Sequence, residues 1–159
     1  MLKNQEKYQE SLLAAIKDMK VADHIIYVTY PIVKDKQLLL KALDLVYESI
    51  TNIINSTLQY DYMWKRIQLY KDVRTNFGTF MDKCSKRLYL AQEELAEIRE
   101  LFSLIESHRK SPMEFARGSK VIIMSNNLKT SFLDIEKLKK YLNLSRIAIE
   151  KAKRYMNIA

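Results

Sequence analysis

Two histidines, one cysteine and a stretch of basic residues set among aromatics are the side chains of this 159-residue sequence best suited to chemistry or recognition. A catalytic thiol needs a paired base, and none can be placed beside Cys84. Its helical spacing from Phe77, Phe80 and Met81 points to a packed thiol instead. His24 follows Asp23, but adjacent helical positions point about 100° apart, so the pair is not aligned for general-base work and His24 is expected to be packed or interfacial. His108 stands before Arg109 and Lys110, where cations complement the end of a helix. Metal ligation asks for clustered donors, which two separated histidines and one cysteine do not supply. The two glycines, Gly78 and Gly118, are forty residues apart and cannot form a phosphate-cradling loop. No cofactor or metal is expected, and a non-enzymatic role is the first reading.

An Arg and a His on a helical bundle admit one enzymatic alternative. Arg99 precedes His108 with eight residues between them, and Arg109 follows the histidine. The pattern resembles the HEPN family, helical-bundle domains some of which are metal-independent ribonucleases whose Arg and His stand closer in sequence. The strict motif is absent, so the resemblance covers the bundle pattern only and leaves Arg99 and His108 as nuclease candidates. The strings Ala22-Asp23-His24-Ile25-Ile26-Tyr27-Val28-Thr29-Tyr30-Pro31-Ile32-Val33-Lys34-Asp35 and Lys110-Ser111-Pro112-Met113-Glu114-Phe115 resemble segments of small archaeal all-helical proteins. That second resemblance implies no activity.

The positive signal is charge. The formal net charge is +8, and it is unevenly placed. Met1 to Tyr60 is neutral, Asp61 to Leu90 carries +4, Ala91 to Lys110 carries −2 and Ser111 to Ala159 carries +6. In the second segment the cations alternate with Tyr60, Tyr62, Trp64 and Tyr70, a composition in which basic groups neutralise phosphates and exposed rings stack on unpaired bases. The candidate polyanion-binding residues are Lys65, Arg66, Lys71, Arg74, Lys137, Lys140, Arg146, Lys153 and Arg154. The expected partner is RNA or single-stranded nucleic acid, or another polyanion. The competing reading puts Trp64, Ile67 and Tyr70 in the core behind a solvated basic face. A homodimer or protein-partner adaptor using the first helix and Ile25 to Val33 is a further alternative.

Elements that could position these groups are helical. The apolar fraction is 48% with 2 Gly and 2 Pro, which favours long helices with few connections in one domain spanning residues 1–159. No window is apolar enough to span a bilayer, and the first ten residues lack the order of a secretory signal, so a cytoplasmic protein without membrane contact is expected. The fold class expected is all-α, an antiparallel bundle of about five helices with a short β-hairpin before the last. Apolar spacing predicts a first helix from Gln5 to Tyr27, running into a buried connection with a kink or break at Pro31. A central helix from Lys36 to Tyr60 is capped by Asp35. The helical pattern continues through Met63, Trp64, Ile67 and Tyr70, with Asp61 or Asp72 able to open a new helix. A third helix carries Phe77 to Leu88 and a fourth Ala91 to Lys110. Ser111-Pro112-Met113-Glu114 has the form of a helix start and predicts a short helix. A hairpin then turns at Ser125-Asn126-Asn127, and the last helix runs from Asp134 to Met156.

Overall fold

A computed structural model describes the backbone of residues 2–158 and the side chains of residues 7–158. Among the described residues are five helices and one three-stranded sheet, in the expected order. Helix α1 comprises Leu2–His24, a wider π turn Ile25–Thr29 and a last turn Tyr30–Val33. Helix α2 is Lys36–Met63. Helix α3 comprises Val73–Thr79, a π turn Phe80–Cys84 and Ser85–Arg87. Helix α4 is Gln92–Lys110. Strands β1 (Met113–Arg117), β2 (Lys120–Met124) and β3 (Thr130–Leu133) precede helix α5, Ile135–Met156.

Hydrogen bonds between helices fix their directions. Ser49 Oγ donates to the Ala15 carbonyl at 2.8 Å and Ser56 Oγ to the Tyr8 carbonyl at 2.6 Å, so α1 and α2 run antiparallel. Ser49 also meets Ser145 Oγ at 2.7 Å, and Asp61 meets Tyr155, which makes α5 parallel to α2. Glu100 to Tyr141 and Glu94 to Lys151 set α4 antiparallel to α5. The core lies between α1, α2 and α5. Leu12, Ile26, Leu39, Leu43, Ile50, Ile53, Leu138 and Leu142 are all buried there. Each such side chain contributes about 1.5–3 kcal/mol by leaving water. Ser49, Ser56, Thr57 and Ser145 are fully buried where the helices cross. Their small size lets the backbones approach, and their hydroxyls find acceptors there.

Four local expectations are corrected. Of the kink or break expected at Pro31 there is no break, since the first helix runs on to Val33. Proline has no amide to donate, and the preceding π turn, closed by Tyr30 N–H to the Ile25 carbonyl, widens the spiral just before the ring. The connection expected to be buried is exposed, with Tyr27, Val28, Ile32 and Val33 all solvent-facing, and the chain leaves the helix at Lys34 with φ 57°. The helical pattern beyond α2 ends at Met63, and it is Asp72 that opens α3, accepting from Arg74 N–H at 3.2 Å. The Ser111-Pro112-Met113-Glu114 signature starts a strand rather than a helix. Ser111 Oγ accepts from Met113 N–H at 3.2 Å and lies 2.6 Å from the Met113 and Met124 carbonyls, bracing a sheet corner. Glu114 is drawn to His108 and is not free to close a capping box.

The expected hairpin is β2–β3, and β1 adds an outer strand, giving the order β1-β2-β3 with Met113 opposite Met124 and Val121 opposite Leu133. Gly118 takes φ 61° in the tight β1–β2 turn, where a side chain would be strained. In the β2–β3 turn the left-handed residue is Leu128, φ 63°, not an asparagine. Val121, Ile123 and Leu133 point inward and pack the sheet on the bundle. No helix among the described residues is long and apolar enough to cross a membrane.

Candidate nucleic-acid interface

At the end of the bundle where α2 stops and α5 finishes, a buried carboxylate organises the surface. Asp61, in the last turn of α2, has no solvent exposure. It accepts from Tyr155 Oη at 2.5 Å and from Arg87 Nη1 at 2.8 Å, with Arg66 Nη1 at 3.5 Å. Its backbone carbonyl takes the Arg66 amide at 2.9 Å. A buried charge is tolerated only when it is paired and hydrogen-bonded in this way. Burial and then the neighbouring carboxylate push the Tyr155 phenol and the Cys84 thiol well above their ordinary ranges. Cys84 is therefore the packed, unreactive thiol that its spacing predicted.

The same cluster pins the loop of residues 64–72. Arg66 lies 5.9 Å from the Tyr60 ring centre and 5.6 Å from that of Tyr155, and donates to Tyr155 Oη at 2.6 Å. Lys65 takes φ 59°, turning the chain outward directly after Trp64. Further along, Asn76 acts as a substitute strand for Tyr70. Its Oδ1 accepts the Tyr70 amide at 2.8 Å and its Nδ2 donates to the Tyr70 carbonyl at 2.7 Å. Ile67 alone of the loop's larger apolar residues turns into the core. Trp64 and Tyr70 remain 56% and 51% exposed, and Tyr62 49%, so the core-filling reading fails for these rings and holds for Ile67. Lys65, Arg66, Gln68, Tyr70, Thr79 and Lys83 border an open cavity of about 450 Å³ over Ile67. The loop thus presents aromatic faces and cations on a backbone held by side-chain hydrogen bonds.

The nine candidate cations divide by location. Lys65, Arg66 and Lys71 belong to the loop, and Lys153 and Arg154 stand in the last turn of α5 at the same end of the bundle, with Arg154 turned toward Arg146 and Lys151. Lys137 and Lys140 lie roughly 25 Å away along α5, from its rise per residue. There Lys140 is paired with Glu100 at 3.0 Å, and Lys137 Nζ donates to the Phe132 carbonyl at 3.0 Å and caps that ring at 3.7 Å. Burial lowers the Lys137 pKa despite nearby Glu100. Arg146 is tied to Asp23 on α1. Arg74 stands apart from the loop face, in a groove between α3 and α4.

The nuclease candidates are not brought together. Nine positions separate Arg99 from His108, which on a helix is about half a circle. Arg99 lines the α3–α4 groove, whereas His108 Nδ1 meets Glu114 of β1 at 2.8 and 2.9 Å. His24, expected to be packed or interfacial, is exposed, and its neighbour Asp23 is engaged by Arg146. Sequence reading missed the Asp61 anchor, Asn76 and Lys83. An aspartate on the inner face of an otherwise apolar helix was the one visible signal for the first. Comparison with protein-family models, with curated proteins and with solved structures finds no match for this chain.

Proposed function

We propose that the chain is a non-enzymatic module that binds single-stranded RNA or DNA at the Asp61 end of the bundle. The observation that carries this reading is the exposure of Trp64 and Tyr70 on a braced loop among Lys65, Lys71 and Lys83. Exposed rings stack on unpaired bases whatever the sequence, and lysines follow the phosphates. Arg66 holds Tyr155 and Asp61 and acts as a positioning residue more than as a phosphate ligand. Lys153 and Arg154, in the last turn of α5, add positive charge at the same end of the bundle.

Trp64 is the sole tryptophan of the chain, so its fluorescence reports stacking directly. Titration with an oligouridylate is expected to quench it. If about four cations meet phosphates, affinity falls roughly 50-fold between about 50 and 200 mM salt. Trp64→Ala, followed by anisotropy of labelled RNA, is expected to cost about 1–3 kcal/mol. Unquenched fluorescence together with no retention at low salt would sink the proposal.

A second reading keeps one observation of its own. Tyr27, Val28, Ile32 and Val33 are exposed together at the far end of α1 and form a surface for a second copy or a protein partner. Light scattering that gives a monomer at all concentrations would remove its homodimer form. The nuclease reading draws no support from residues on opposite faces of α4.

A further inference from the structure

The groove between α3 and α4 contains three guanidinium groups that lie outside any ion pair among the described residues. Arg74, Arg99 and Arg109 line it with Lys110 around a floor of Tyr47, Phe77 and Phe102, enclosing about 480 Å³. That size lies within the roughly 300–1,000 Å³ of small-ligand sites. Its one acid, Glu106, is engaged by Lys110 at 2.7 Å, and that lysine, with Arg74 beyond it, holds the carboxyl below its ordinary range. No ion pair involves Arg74, Arg99 or Arg109 among the described residues. The side chains lining the groove therefore sum to +3, with Asp72 close to Arg74 at its margin. Elsewhere on the bundle Arg66, Arg87, Lys140, Arg146 and Lys151 each face an acid.

The floor is already ordered. Phe77 and Phe102 stack at 5.0 Å with planes 25° apart, and Tyr47 meets Phe102 edge-on at 5.0 Å. Arg109 lies over Tyr47 with its carbon 4.7 Å from the ring centre, which fixes the guanidinium plane and leaves its N–H edge for an acceptor. All three rings are half-buried.

We propose that this groove binds the phosphate monoester of a nucleotide, with guanidinium groups on the phosphate and the base against the aromatic floor. A monoester carries about −1.5 to −2 charge near neutrality, against −1 for an internal phosphodiester, so a groove whose lining sums to +3 favours the monoester. The groove opens just beyond the Asp72 cap, next in sequence to the Tyr70 and Lys71 loop. The inference rests on the single-strand reading for its choice of nucleic acid. The monoester has two sources, the terminal phosphate of a bound strand or a free mononucleotide.

The test uses the full chain at low salt with three probes: an oligouridylate ending in a 5′-phosphate, the same strand ending in a 5′-hydroxyl, and AMP. The phosphorylated strand is expected to bind about tenfold or more tightly than the hydroxyl strand, as one charged hydrogen-bonded group warrants. Arg99→Gln and Arg109→Gln abolish that preference while leaving binding of the hydroxyl strand and the thermal midpoint unchanged. Saturable AMP binding that is lost in the same variants assigns the groove to free nucleotides as well. Equal affinity for both strands together with no AMP binding overturns the proposal, as does an AMP affinity or a strand preference unchanged in both variants. Failure of the loop reading looks different: the hydroxyl strand is not retained at all, or Trp64→Ala leaves its affinity unchanged.

Discussion

Replacing Asp61 by Ala removes the acceptor shared by Tyr155, Arg87 and Arg66, and the cost can be worked from their geometry. The carboxylate is fully buried, and stripping one member from a buried ion pair costs about 3–5 kcal/mol when the partner stays buried. Here the arginine side chains are 32% and 40% exposed, so both can turn toward water and recover part of that. Tyr155 Oη retains Arg66 as a neighbour but loses its acceptor. The balance is about 3 kcal/mol, which with a urea slope of about 2 kcal/mol/M lowers the midpoint by about 1.5 M. Asp61→Asn keeps an oxygen for Tyr155 and loses only the charge, for an expected cost of about 1–2 kcal/mol. Arg87→Ala, at 2.8 Å, should cost more than Arg66→Ala, at 3.5 Å and more exposed. A double-mutant cycle between Asp61 and Arg87 should return about 1 kcal/mol or more of coupling. Urea denaturation of Asp61→Ala within about 0.5 kcal/mol of the parent chain would refute the anchor outright.

The same variant separates two explanations of nucleic-acid affinity. Removing a negative charge near bound phosphates should strengthen binding if long-range electrostatics govern it. Freeing the loop should weaken binding, because ordering each residue costs about 1–2 kcal/mol when the strand arrives. Weaker binding at an unchanged salt slope is expected.

Ser49→Ala leaves Ser145 without its buried partner and should cost about 1–3 kcal/mol, while Ser49→Ala with Ser145→Ala should cost less than the two single changes added; additive urea midpoints would count against the pair. Tyr141 and Tyr155 have phenols raised by burial and by hydrogen bonds to Glu100 and Asp61. A raised pKa gives stability that is whole below the unfolded value of 10.0 and lost as pH climbs beyond it, so alkaline spectrophotometric titration should show these two of the ten tyrosines ionising only with unfolding. Glu100 is partly desolvated, but hydrogen bonds from Tyr141 and Lys140 hold its pKa below 4.5. Its contribution is present above that value and fades as pH falls through the folded one, so Glu100→Gln should flatten the acid limb of a stability profile followed by circular dichroism.

How far the fold could be read depended on whether a signal was local. Helix α2 was legible because Asp35 accepts from Gln37 at 2.9 Å and the apolar period is long. The last helix was legible for the same reasons, with Asp134 accepting from Lys137 at 2.9 Å. Ser111 misled because a serine hydroxyl and a proline φ suit the start of a strand as well as that of a helix, and the choice was made by pairing with β2, whose Met124 carbonyl Ser111 meets from 13 residues away. Pro31 misled because the helix answers the proline with a π turn just before the ring and continues, and no residue type announces such a turn.

The site was legible in composition and not in arrangement. Apolar spacing cannot say that Ile67 turns inward while Trp64 and Tyr70 turn out, since Asn76 and Arg66 decide it from outside the pattern. Segment charge was the less faithful guide of the two. The most basic stretch, after Lys110, holds much of its excess on α5, yet Lys140, Arg146 and Lys151 face Glu100, Asp23 and Glu94 of other helices. Counting acids within a segment omits the partners that neutralise it in the fold. The stretch from Asp61 to Leu90 is formally less basic, but its one buried acid orders two arginines at the bundle end, leaving Lys65, Lys71 and Lys83 outward beside the exposed rings. Availability of charge, set by packing between helices, is what separates a recognition surface from an ion-paired one.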